Sequence, residues 1–171
     1  MARENPHELL IDRLLREHRK IRSLAAELSA ILCRPEPREL DGLARVRWEM
    51  ASTIMAHLAL EDRSIYNVVE HDPREHVRSL ARRFRTELIE AFDRYCTHIE
   101  DWSASRIAKD WDIYRKEGLS FIAWLLARAD REEAELFPLF VAKTVEQQRR
   151  IPVMVSWARN AFRLKDSITG I

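Results

Sequence analysis

The sequence predicts an all-α protein: an up-down-up-down four-helix bundle with an extra C-terminal helix. Three observations predict it. Apolar residues recur at three- and four-residue intervals through four long segments. The 171 residues hold only three Gly and six Pro, so little interrupts those segments. Strict alternation of the strand kind is scarce, and 46% hydrophobic residues are enough for one sizeable core.

The first segment carries Ile11, Leu14, His18, Ile21, Ala25, Leu28 and Leu32, a bundle-type seam. It stops at Arg34-Pro35-Glu36-Pro37, where two prolines prevent continuation. The second carries Leu43, Val46, Met50, Ile54, His57, Glu61, Ile65 and Val68 and ends near His71-Asp72-Pro73. Asp72 before Pro73 reads as an N-cap with proline at the first helical position.

The third segment, from about Pro73 to Trp102, offers two neighbouring stripes. One is Val77, Leu80, Phe84, Glu87, Ala91, His98 and Trp102; the other is Ala81, Phe84, Leu88, Phe92, Tyr95 and Ile99. Periodicity leaves the choice between them open.

The fourth carries Trp111, Tyr114, Gly118, Phe121, Leu125, Arg128, Glu132, Leu136 and Leu139, with Pro138 expected to break or kink its end. A fifth stretch, about 145–166, has Ile151, Val155, Ala158 and Phe162 on one side and a start signal at Pro152. It would cap the bundle or meet a protein partner or a second copy. The whole chain, 1–171, reads as one domain with a core bundle at about 8–141.

Charge excludes some functions. Lys+Arg is 29 and Asp+Glu is 28, so neither nucleic acid nor an anionic membrane is an expected partner. The longest apolar run, Phe121 to Ala127, is far short of a membrane span. MARENPHELL shows no basic-then-apolar leader, and Cys33 and Cys96 make no disulfide scaffold. The expected location is the reducing cytoplasm. The five tryptophans read as packing residues.

Each seam is interrupted by polar residues at one level. In antiparallel hairpins, residues equidistant from the turn lie side by side. Turns near 36, 72 and 106 put His18 beside residue 54, His57 beside Glu87, and Glu87 beside Leu125, close to Arg128 and Glu132. His18, His57, Glu61, Glu87, Arg128 and Glu132 therefore form one band across the bundle. Buried charges at that level must pair or hold an ion. His57 and Glu61, one turn apart, present an imidazole and a carboxylate on one face. Glu133 and Glu135 read as solvated.

With these residues in view the chain resembles the hemerythrin-like family, the HHE cation-binding domains. The matching parts are LLREHRKI around His18, AHLALEDRSIY around His57 and Glu61, and ARADREEAELFPL ending at Leu139, within roughly residues 9 to 141. The resemblance implies a four-helix bundle enclosing non-haem iron, one or two ions, held by histidines and carboxylates. It also implies a role in oxygen, nitric oxide, redox or iron sensing, or in iron handling. His18, His57, Glu61 and Glu132 are the expected metal residues, with Glu87 or His76 as further candidates.

Two departures stand out. The family's fourth helix has His, three residues, then Glu; here Arg128 precedes Glu132. Arginine has no lone pair to give a metal. In the third helix the family ligand is histidine, yet His76 lies eleven residues from Glu87, about 16 Å along a helix. The smaller histidine complement argues against reversible oxygen carriage. Two readings follow. In one, the band holds iron through an incomplete ligand set. In the other it is metal-free and regulatory, and Arg128 replaces the metal by pairing with Glu61, Glu87 or Glu132. No nucleophile-base set or phosphate loop is present, so an enzyme is not the expected reading.

Overall fold

The computed structural model describes residues 6–35 and 40–141. Four long helical arms pack antiparallel around one core, and no strand occurs among the described residues. Helix α1 (Pro6–Leu32) starts on a proline, whose missing N–H costs nothing at that position. All seven of its seam residues, from Ile11 to Leu32, are buried, His18 among them. Helix α2 (Leu40–Glu61) buries Leu43, Val46, Met50, Ile54, His57 and Glu61 on its inner face.

The second arm does not end as a plain α-helix. It widens into a π-helical turn (Asp62–Tyr66) and closes with α3 (Asn67–Val69). The last arm repeats the device: α6 (Trp111–Arg131) runs into a π-helical turn (Glu132–Leu136) and then α7 (Phe137–Val141). Each wide turn inserts one residue, so the inward positions beyond it shift by one. Val69 and Phe140 are buried where an unbroken 3.6-residue period selects Val68 and Leu139. The expected break at Pro138 does not occur, and α7 runs through it. The wider turn just ahead gives the proline ring the room that an α-helix would deny it.

The third arm is α4 (Glu75–Asp101). Its N-cap is Arg74, not Asp72. Asp72 instead accepts the Arg74 backbone N–H at 2.9 Å and the Arg74 guanidinium at 2.9 Å and 3.0 Å, holding the turn two residues ahead of the helix. The stripe through Ala81, Phe84, Leu88, Phe92, Tyr95 and Ile99 faces the core. The short α5 (Ala104–Lys109), capped by Ser103 on the Arg106 N–H, turns the chain toward α6.

Two bonds fasten the end of the bundle remote from the polar band. Trp111 donates its indole N–H to the Arg34 carbonyl at 3.0 Å. Buried Arg47 donates to the Trp102 carbonyl at 2.9 Å, placing a cation at the C-terminus of α4. Nearby, α6 approaches α1 through Gly118. A Cβ there would lie 2.8 Å from Leu32 Cδ1, and Leu32 is fully buried. Gly118→Val is expected to cost about 1–3 kcal/mol by overpacking. Thermal unfolding checks this, and an unchanged midpoint would contradict the close approach. The C-terminal helix expected at about 145–166, with the partner or homodimer contact assigned to it, lies outside the described residues.

Candidate metal centre

The polar band lies where α1, α2 and α6 converge, one helical turn before the two π turns. His18 comes from the middle of α1 and His57 from the last turn of α2; Glu61 ends α2 and Glu132 opens the second π turn. All four are at most 3% exposed. Ile21, Ile54, Leu58, Leu125 and Ala129 wall the small cavity that His18, His57 and Glu132 face.

Three donor atoms converge. His18 Nε2 is 3.1 Å from His57 Nε2 and 3.4 Å from Glu132 Oε2. These atoms all lie within 4.8 Å of one another. Glu61 Oε2 stands 3.9 Å from His57 Nε2. Metal bonds of about 2.0–2.2 Å put neighbouring ligand atoms roughly 3 Å apart. His18, His57 and Glu132 therefore fit one coordination sphere, with Glu61 beside it. The Glu61 carboxylate is fully buried beside the Tyr66 hydroxyl.

The outer ring nitrogens set the imidazole orientation. His18 Nδ1 lies 2.7 Å from Glu133 Oε1, which also accepts from Arg22 at 2.8 Å. His57 Nδ1 lies 3.2 Å from Glu17 Oε2, whose other oxygen accepts from Arg13. Burial would raise both outer carboxyls. For Glu133 the bonds from Arg22 and His18 win, and for Glu17 the bonds from His57 and Arg13 win, so both sit below their ordinary value. Ionised carboxylates only accept, so both Nδ1 atoms donate. Burial also pushes the His57 imidazole below its ordinary value, which leaves its Nε2 bare. With both Nδ1 atoms donating outward, the two Nε2 atoms 3.1 Å apart can share one positive charge, a proton or a metal ion.

Arg128 forms the other half of the band. It is 3% exposed, and its Nη2 sits 2.5 Å from Glu132 Oε1 and donates to the Tyr66 hydroxyl at 2.7 Å. Its Nη1 is 3.6 Å from Glu87 Oε2, and the guanidinium lies over the Phe84 ring. Burial would raise the Glu132 carboxyl, but Arg128, with His18 and His57, holds it below its ordinary value. Glu61 goes the other way: burial and then the Glu132 charge push it well up, against Arg128 and the Tyr66 hydroxyl.

The remaining candidates separate. Leu88 takes the inward position on α4, and half-buried Glu87 stands beside it, bonded to Arg131 at 2.6 Å and facing Arg128 rather than the imidazoles. His76 is exposed on the first turn of α4 and does not reach the cluster. Glu133 is not simply solvated, because it orients His18; Glu135 pairs with Arg83 at 3.1 Å. Glu17, Glu133 and Tyr66 are the site residues that periodicity misses. The signal for Tyr66 is its place five residues after Glu61, which a π turn brings to the same side.

Histidines and a carboxylate meeting inside an antiparallel bundle form a cluster that could hold a metal ion. The chain belongs to the hemerythrin HHE cation binding domain family, whose model matches residues 9–140. Neither a curated protein nor a solved structure matches it. No helix among the described residues is long and apolar enough to cross a membrane.

Proposed function

We propose that the protein binds iron between His18, His57 and Glu132, with Glu61 as a fourth donor, and uses it to sense a small uncharged molecule such as oxygen or nitric oxide. One observation carries the cation reading: two imidazole Nε2 atoms point at each other from 3.1 Å while both Nδ1 atoms are committed to carboxylates. Two nitrogens with carboxylate oxygens suit iron. Iron at this position would supply a redox-active centre able to bind a diatomic ligand. The chain would orient the imidazoles, exclude bulk water and balance charge.

The sensing part rests on a second hollow between α4 and α6. Leu88, Phe92, Tyr95, Phe121 and Trp124 line it, and it shares Ile54, Leu58, Leu125 and Arg128 with the metal cavity. Its walls are apolar and Trp124 is 36% exposed, so it offers an uncharged molecule a way in. The test is metal analysis and an optical spectrum of protein purified without chelator, before and after nitric oxide. Sub-stoichiometric metal, unchanged by His57→Ala, would sink the proposal.

The Arg128–Glu132 contact at 2.5 Å favours a second reading, a metal-free regulatory bundle in which the positive charge between the imidazoles is a proton. The same metal analysis separates the two.

Two further outcomes are expected. Glu133→Gln removes the charged acceptor for His18 Nδ1–H and should weaken the cation affinity about 10–100-fold. A competition titration measures this, and an unchanged constant would show that the outer carboxylate does not orient His18. The second concerns pH. In the metal-free protein Glu61 keeps its proton above its ordinary value of 4.5. A cation must displace that proton, so affinity should rise with pH and level off above the Glu61 value. Calorimetry in buffers of different ionisation heat would detect the released protons, and buffer-independent heats would remove Glu61 from the donor set.

A further inference from the structure

We infer that the site takes one divalent cation per chain, and that the Arg128 guanidinium fills the place where the band could otherwise hold a second. The inference rests on the cation-binding reading above and concerns what sets the number of ions.

The band contains two oxygen-lined positions, and Glu132 belongs to both. Its Oε2 faces His18 Nε2, whereas its Oε1 is 2.5 Å from Arg128 Nη2. Around the guanidinium stand Glu132 Oε1, the Tyr66 hydroxyl at 2.7 Å and Glu87 Oε2 at 3.6 Å. That is an oxygen cage with a cation already in it. Arg128 is 3% exposed and stacks over Phe84. Its charge is permanent.

The donors cannot be shared further. Glu87 is bonded to Arg131 at 2.6 Å as well as facing Arg128. His18 Nδ1 and His57 Nδ1 point outward to Glu133 and Glu17. Only His18 Nε2, His57 Nε2 and Glu132 Oε2 remain converged, with Glu61 beside His57, and these make one sphere.

Charge agrees with the donor count. Among the fully buried groups of the band, ionised Glu61 and Glu132 with Arg128 leave one net negative charge, half-buried Glu87 being taken up by Arg131. One dication turns that into a single positive charge. A second would leave three, packed against a guanidinium and out of reach of water, which burial strongly disfavours.

The test uses the full chain, stripped with chelator, reloaded with excess Mn(II) and desalted. Metal is counted by elemental analysis, and electron paramagnetic resonance reports whether the ions are coupled. The expected result is a plateau at one ion per chain with the spectrum of isolated Mn(II). Two ions per chain, or a spin-coupled pair, would overturn the inference while leaving the cation reading intact. No bound ion would overturn both. Arg128→Lys, which keeps the charge, should stay at one. Arg128→His, which removes the charge and adds a donor, should rise toward two; a folded Arg128→His protein that stays at one would overturn the role given to Arg128. If that variant does not fold, the wild-type count and spectrum decide alone.

Discussion

Arg128→Met should lower the melting temperature of the metal-free protein by roughly 6–20 °C. The guanidinium is buried, contacts Glu132 at 2.5 Å and donates to Tyr66 at 2.7 Å. Removing one member of a buried ion pair costs about 3–5 kcal/mol, because the other is left charged and out of water. For a chain of this size each kcal/mol moves the midpoint by about 2–4 °C. The pH dependence supplies a check. In the wild type the Glu132 carboxyl is held below its ordinary 4.5, so it contributes stability above that value and loses it as pH falls. Without Arg128 the carboxyl takes up a proton more readily, so the deficit should be largest near neutral pH and shrink toward acid. Arg128→Met with Glu132→Gln should recover much of the loss. A midpoint unmoved by Arg128→Met alone would mean that the network does not support the core.

His57→Ala should weaken cation binding by more than about 100-fold, the upper end for losing even an outer hydrogen-bond partner of a ligand. His57 Nε2 lies between the other donors, 3.1 Å from His18 Nε2 and 3.9 Å from Glu61 Oε2. Its loss removes a donor and widens the cavity together. His76→Ala is the matching control, since His76 is exposed on the first turn of α4 and should leave affinity unchanged. Competition with a chromophoric chelator reads both constants. A His57→Ala constant within tenfold of wild type would place the cation elsewhere.

Much of the scaffold is legible in the chain. The α1 seam is read residue for residue, because an unbroken α-helix keeps its period and its inner face is uniformly buried. The meeting of His18 with His57 also follows from sequence, since hairpin geometry puts residues equidistant from a turn at one level. The third arm is harder. Its two stripes are about one residue apart, and both carry apolar side chains, so pattern alone does not separate Leu88 from Glu87.

The bundle, with polar residues gathered at one level, was determined by the sequence alone, because 3.6-residue periodicity and short connections leave few other ways to bury four apolar seams. Tertiary structure decided the rest. The two π turns shift the inward register to Val69 and Phe140 and carry Tyr66 to the Arg128 guanidinium, through a local backbone change that no side-chain period announces. Glu17 and Glu133 became the partners of the imidazoles because helices α1, α2 and α6 cross there. The pair of His57 and Glu61 is visible as a pattern on one helix. Its chemistry depends on what two other helical arms place opposite it.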